Sequence, residues 1–297
     1  MLRQSELKGV WTSLVTPFNE DLSLDWQSFD RLVDLQVKAN IRGILLFGPL
    51  GEGPSLASHE RLAMIRRAKA RTLPDQKVFI MCTVDDPRTS QCIEFAKLAE
   101  DAGSDCLFLT FPRAKFRASG IAKHMRLILE SVHIPVILDF DVPEGEHFPF
   151  QELMPLLELE QVIGAFHSSN TLDSFARLRE ETSKNLYCGY DLGAGASLLV
   201  GGDGFISGIA NVFPKEMNQI YKAFIELDFK KFINYQHALR PVLLTNLEDP
   251  IASLKACLHA LKQSLQHLRL PYERLDPIKH EQVISKLHET IKKLSEV

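Results

Sequence analysis

No run of apolar residues in this 297-residue chain approaches the roughly 20 needed to cross a bilayer. The opening residues, Met1-Leu2-Arg3-Gln4-Ser5-Glu6, lack the apolar core of a signal peptide. Cysteine is sparse: Cys82, Cys92, Cys106, Cys188 and Cys257 are scattered, and no two have zinc or redox spacing. Cys82, Cys106 and Cys188 lie inside apolar runs, where the expected role is that of small buried hydrophobes. These absences exclude a membrane span and a disulfide framework, and point to the reducing cytoplasm. An excess of one charge is also missing. With 34 basic against 38 acidic residues and a net charge of -4, there is no electrostatic footprint for nucleic acid or an anionic membrane. Neither a low-complexity segment nor a disordered linker interrupts the chain.

What is there is a strand–helix alternation. Apolar residues make up 45% of the sequence, enough for a large core. Short β-rich runs recur at Val10–Val15, Ile41–Phe47, Lys77–Val84, Asp105–Phe111, Ile134–Phe140, Gln161–Phe166, Asn185–Cys188 and Gly204–Ile206. Several, such as Gly43-Ile44-Leu45-Leu46-Phe47, are apolar on both faces, as parallel strands covered on both sides must be. Between them lie helical stripes. One is Phe29, Leu32, Val33, Gln36 and Val37; another is Ile93, Ala96, Lys97 and Ala99 before Gly103, a glycine placed to end a helix; Met125, Ile128 and Leu129 form a third. Eight such units with right-handed crossovers predict a TIM (β/α)8 barrel over residues 1–214, since closure removes the exposed edges. Past Pro214 the strand signal stops. Helices expected near Lys215–Leu227, Phe229–Leu239, Pro250–Leu268 and Ile278–Leu294 make residues 215–297 a C-terminal helical extension, packed on the barrel as one structural unit.

Barrel chemistry sits at the C-terminal ends of the strands. The segments there carry a resemblance: Gly9-Val10 with Thr16-Pro17-Phe18; Gly51-Glu52 with Leu56 and Glu60; Val162-Ile163-Gly164; Gly202-Asp203-Gly204-Phe205-Ile206-Ser207-Gly208-Ile209-Ala210-Asn211-Val212-Phe213-Pro214; and Leu268-Arg269-Leu270-Pro271. In this order the chain resembles the dihydrodipicolinate synthase / N-acetylneuraminate lyase family from about Leu7 to Leu294. The resemblance implies imine chemistry, in which a sixth-strand lysine condenses with a 2-keto acid such as pyruvate and the iminium serves as electron sink. It also implies a fifth-strand tyrosine, a Gly-Thr-Thr-Gly-Glu loop and a homo-oligomer, dimer or tetramer.

Under that resemblance the functional residues do not carry over. The lysine position falls on Phe166, which has no nucleophile. The two threonine positions fall on Pro49 and Leu50, and Pro49 also lacks the N–H that would bind a carboxylate. The tyrosine position lies near Asp139 and Phe140, in a segment one residue longer than the family pattern. Two readings stay open there. With Phe140 inward the old pocket fills with aromatic bulk; with Asp139 and Asp141 inward, two carboxylates can share a proton or a cation. The expectation is a barrel whose family reaction is lost and which binds a small carboxylate or keto acid, or acts through assembly. Leu50, Gly51, Arg113, Lys115, Asp139, Ser207 and Gly208 are its candidate ligand-binding residues. The alternative is a carbon–carbon or carbon–oxygen lyase or aldolase working through a relocated amine such as Lys115, or through a metal drawn from Asp139, Asp141, Glu144, Glu146, His147 and His167. His167, opposite in phase to Phe166, is expected to face the helices. No cofactor is expected and no metal motif is read. Glu52 and Asp191 are expected to hold their own loops.

Overall fold

The computed structural model describes residues 3–72, 78–112, 116–141, 150–168, 172–245 and 249–297. The eight apolar runs form β1 (Gly9–Ser13), β2 (Gly43–Leu46), β3 (Phe79–Val84), β4 (Cys106–Leu109), β5 (Val136–Asp139), β6 (Val162–His167), β7 (Asn185–Cys188) and β8 (Gly204–Ser207). All pair in parallel and in chain order, and β8 returns to β1, so the sheet is a closed barrel. The crossovers carry α1 (Trp26–Lys38), α2 (Ser58–Arg71), α3 (Thr89–Asp101), α4 (Ala118–Leu129), α5 (Phe150–Leu157), α6 (Leu172–Glu181) and α7 (Ala194–Leu199). Local chemistry sets several of their ends. The Asp25 side chain accepts the Ser28 N–H at the start of α1. Gly103, at φ 99°, turns the chain after α3 as its position predicts.

After β8 come α8 (Pro214–Ile225), α9 (Phe229–Thr245), α10 (Pro250–Ala260) and α11 (Pro277–Leu294). α8 packs against β1, supplying the cover that β8 and β1 need at the barrel seam, and α9 packs on α8 and α11. The third expected helix ends eight residues early, at Ala260. There the Gln263 N–H bonds back to the Leu258 carbonyl and Lys262 takes φ 57°, a turn more often made by glycine. The chain from 261 to 276 then crosses to the rim of β2. Among the described residues, no helix is long and apolar enough to cross a membrane.

Alternation along the strands produces two cores. Outside the barrel, residues such as Val10, Ile44, Ile80, Leu107, Leu138 and Phe205 meet the helices. Inside, Trp11, Leu45, Met81, Cys106, Phe108, Ile137, Ile163, Phe166, Tyr187 and Ile206 fill the lumen together with Leu7. The floor is sealed by the N-terminal turn. Trp11 Nε1 and the Tyr187 hydroxyl both donate to the Leu7 carbonyl, at 3.0 and 2.9 Å. Gly43 makes room for the indole, because a Cβ there would stand 2.2 Å from Trp11 Cζ3. The pairing of β5 with β6 skips one residue: Val136 faces Val162, but Ile137 faces Gly164. This bulge at Ile163 sets the phase that turns Phe166 inward.

Candidate functional site

The upper barrel follows from the alternation along β5 and β6. Ile137 belongs to the inner core while Leu138 and Phe140 belong to the outer one, so Asp139 faces the barrel axis and Phe140 faces the helices. Of the two orientations the sequence left open, the structure takes the second for Asp139. Asp141 lies beyond the strand end. Its N–H donates to Asp139 Oδ1 at 2.9 Å, and its own carboxylate turns to Ser168, accepting the backbone N–H and the hydroxyl. Phe140 packs edge-on against Phe111, with ring centroids 6.0 Å apart.

Phe166 pairs with Asp139 across the sheet and reaches into the lumen. Its ring meets Phe108 edge to face at 5.2 Å and lies over Gly189, where a Cβ would be 2.2 Å from Phe166 Cζ. Burying that ring is worth about 2–3 kcal/mol by transfer. Two hydroxyls share the inner face: Ser13, in phase with Trp11, and Thr83, in phase with Met81. Both are 2% exposed, and neither Ser13 Oγ nor Thr83 Oγ1 has a hydrogen-bond partner. A buried hydroxyl gains about 1–3 kcal/mol from any hydrogen-bond partner that reaches it.

The other sequence candidates separate. Leu50 stretches over the end of β8, close enough that a Cβ at Gly208 would lie 2.5 Å from its Cδ1; Pro49 is exposed. The amide of Gly51 is occupied by its own turn, donating to the Gly48 carbonyl at 2.9 Å, while its carbonyl accepts from Thr16 Oγ1 at 2.6 Å. Ser207 points out of the lumen and its Oγ accepts the Ala210 N–H. The amides of Gly208 and Ile209 both donate to Asp191 Oδ2, at 2.9 and 2.8 Å. An anion bound there would have to displace an internal carboxylate. Burial pushes the Asp191 carboxyl up to about 6, against the opposing pull of the Ser207 hydroxyl and the Ile209 and Gly208 N–H groups. Arg113 and Lys115 lie outside the described residues, as do Glu144, Glu146 and His147. Among the described residues no group of three or more His, Cys, Asp or Glu is placed to hold a metal ion.

The β2 rim loop is fixed by Glu52 together with Lys255 and Arg269, two partners that the sequence did not disclose. Glu52 takes a left-handed conformation, φ 51°, and turns its carboxylate inward, fully buried. It pairs with Lys255 of α10, also fully buried, and accepts the Arg269 N–H at 3.1 Å. Lys255 Nζ also donates to the His267 carbonyl at 2.6 Å and lies 4.6 Å from the centre of the Phe18 ring. Burial drives both partners toward their neutral forms: Glu52 moves up, and Lys255 moves down to about 8 despite the pull of Glu52. The Arg269 side chain continues the clamp, donating to both Glu60 oxygens at 2.8 and 2.7 Å. Lysine at 255, inside the apolar stretch Ile251–Leu258, was the available signal: a charge in a buried helix face requires a partner.

On the outer side of β6, His167 faces α6 as its phase predicts. Its Nε2 is 2.8 Å from Ser174 Oγ, and its Nδ1 is 3.2 Å from Asp141 Oδ1.

The model of the dihydrodipicolinate synthetase family matches residues 6–293. A 4-hydroxy-tetrahydrodipicolinate synthase of Enterococcus faecalis is 30% identical over 284 residues, covering 93% of this chain and 96% of that protein. One from Laribacter hongkongensis is 32% identical over 231 residues, 75% of this chain and 77% of that protein. In three dimensions the chain superposes on the 4-hydroxy-tetrahydrodipicolinate synthase of Methylacidiphilum fumariolicum SolV with a TM-score of 0.91, over 97% of both chains at 23% identity. That last likeness is one of fold.

Proposed function

Because the chain belongs to the dihydrodipicolinate synthetase family, we propose that it is a barrel of that family which has given up the keto-acid imine and uses its mouth to bind a small carboxylate or keto acid, or to assemble. The observation that carries this reading is the place of Phe166. At the inward position of β6, where the family resemblance implies the amine, a phenyl ring packs on Phe108 and Gly189. Carbon cannot act as the nucleophile there, and Asp139 beside it supplies no phenol. Pro49 and Leu50 complete the replacement: no hydroxyl is available from the β2 loop, and Leu50 presents apolar surface toward Gly208. In this reading the polar groups of the inner face are Asp139 and the Ser13 and Thr83 hydroxyls, and an anionic ligand would set its carboxylate toward the hydroxyls of β1 and β3 and away from Asp139.

In this reading the chain is a single unit in which residues 215–297 cover the barrel and offer surface for a dimer or tetramer. It works in the cytoplasm without cofactor or metal, and it makes no contact with nucleic acid or membrane. Sedimentation tests the assembly. The chemistry is tested by borohydride trapping with pyruvate and several other 2-keto acids, read by intact mass and peptide mapping, with a lysine-bearing family synthase trapped in parallel. The expected result is no adduct. A stoichiometric adduct on one lysine, such as Lys115, would replace this reading with a lyase acting through a relocated amine.

A further inference from the structure

A second group of side chains lies on the same end of the barrel but outside the lumen, and it has the order of parts that activates a serine. β6 ends in His167, turned away from Phe166 toward α6. Ser174 sits in the first turn of α6, and its Oγ is 2.8 Å from His167 Nε2, within hydrogen-bond reach. The other ring nitrogen, Nδ1, is 3.2 Å from Asp141 Oδ1, at ion-pair distance but off the hydrogen-bond line. Asp141 is itself fixed, since its carboxylate accepts the Ser168 N–H and the Ser168 hydroxyl and its own N–H is held by Asp139.

Hydroxyl, imidazole and carboxylate therefore stand in series, each joined to a different element: helix α6, strand β6 and the segment after β5. That is the arrangement by which a base is oriented from one side and relieves a hydroxyl of its proton on the other. The imidazole and the Asp141 carboxylate are partly exposed, with side-chain exposures of 17% and 22%, so the pair is shielded without being sealed from solvent.

We propose that Ser174, His167 and Asp141 form an acyl-transfer site whose substrates are small carboxylic esters. With Nδ1 protonated toward Asp141, Nε2 takes the proton from Ser174 Oγ as Oγ bonds to the acyl carbon. The bond from that carbon to the leaving oxygen breaks, and the alcohol departs with the proton from Nε2. Water then adds to the acyl-serine, giving its proton to Nε2. The acyl–Oγ bond breaks, Oγ recovers the proton, and the carboxylic acid leaves. Ser174 and His167 are the catalytic residues, and Asp141 is a positioning residue. No step uses a lysine or the lumen, so the site works or fails independently of the imine question.

The test is to treat the full chain with an alkyl fluorophosphonate, which phosphonylates activated serines, and with p-nitrophenyl acetate. Labelling is mapped by peptide mass, and release of p-nitrophenol is followed in time. One phosphonyl group on Ser174 is expected, with loss of nitrophenol release on labelling. Ser174→Ala should abolish both. His167→Gln should slow labelling by about 100-fold or more, the usual contribution of a general base. Asp141→Asn should lower the acylation rate at least ~10-fold without raising KM, because it changes the tautomer and not the binding surface. Melting curves separate these effects from unfolding, and mapping of the unaltered chain does not depend on any variant folding. No label on Ser174 of the unaltered chain, label only at other residues, or Ser174 labelling unchanged in His167→Gln would each overturn the assignment and leave the three residues as a fastening between β6 and α6.

Discussion

Replacing Lys255 by methionine gives the most quantitative handle on how the β2 rim is held. The side chain is fully buried, its Nζ divided between Glu52 Oε1 and the His267 carbonyl. Methionine matches the length of the stem and keeps the apolar contacts with α10's neighbours, so packing changes little. What remains is a buried carboxylate at Glu52 with one N–H donor, from Arg269, as its hydrogen-bond support. Removing one partner of a buried pair costs about 3–5 kcal/mol. The Arg269 donor, together with the ability of Glu52 to take up a proton, places the expectation near the lower end, about 3 kcal/mol. For a chain of this size that is a fall in the thermal midpoint of roughly 6 °C.

The pH dependence has a definite sign. Burial already raises the Glu52 pKa above its ordinary 4.5, and loss of Lys255 raises it further. A carboxyl whose folded pKa is raised contributes stability that is lost as pH rises through that value. The deficit of Lys255→Met should therefore grow as pH rises and shrink as the medium is made more acidic. Adding Glu52→Gln removes the stranded charge while keeping an acceptor for the Arg269 N–H, and the double variant should return to within about 1 kcal/mol of the parent. Guanidinium unfolding of the four proteins, followed by circular dichroism, measures this cycle. A cost below about 1 kcal/mol for Lys255→Met, or a double variant worse than either single one, would refute the view that the pair is a coupled buried unit.

Asp191, raised from 3.8 to about 6 by burial, destabilises the fold increasingly as pH rises through that interval; relative to the parent, Asp191→Asn should thus gain up to about 3 kcal/mol between pH 4 and pH 7 in paired unfolding curves. All five cysteines are buried, with Cys92 and Cys188 pushed up to about 11 and Cys82 and Cys257 to about 12. The native chain should leave a disulfide reagent unreacted and the denatured chain should release five equivalents. Phe166→Lys puts an amine at the inward position of β6 but restores neither phenol nor loop hydroxyls, so no turnover of pyruvate with an aldehyde partner is expected in a coupled assay. Measurable turnover from that single substitution would mean that the rest of the mouth is still competent.

The strands were legible because burial on both faces writes the same apolar signal at every βα unit, and all eight runs fall on observed strands. Of the helices between them, α1, α3 and α4 were legible from their apolar period. Position 214 marks the end of the strand signal, but not the end of barrel contacts: α8 packs on β1 because the eighth strand needs a cover as much as the first seven. The early stop of α10 was hidden because its turn uses Lys262, a residue with no preference for positive φ. Inside the barrel, the side chosen by Asp139 could not be read from β5 itself. Alternation fixes which residues share a face but not which face is inward; that is set by pairing, with Ile137 opposite Phe108 of β4 and Gly164 of β6.

Alternation also explains why one short segment serves two different surfaces. From Asp139 to Asp141 the chain gives one carboxylate to the lumen, one phenyl ring to the outer core and one carboxylate to the rim of β6, where it meets Ser168 and His167. The same alternation on β6 sends Phe166 inward and His167 outward. A change that fills the lumen with aromatic bulk therefore leaves the polar rim one residue away untouched, and the rim can acquire polar partners without disturbing the barrel core. The fold tolerates this because the two faces of a strand share a backbone but no packing. A barrel of this family can accordingly carry a phenyl ring on its axis and place a serine, an imidazole and a carboxylate 2.8 and 3.2 Å apart on its outer edge.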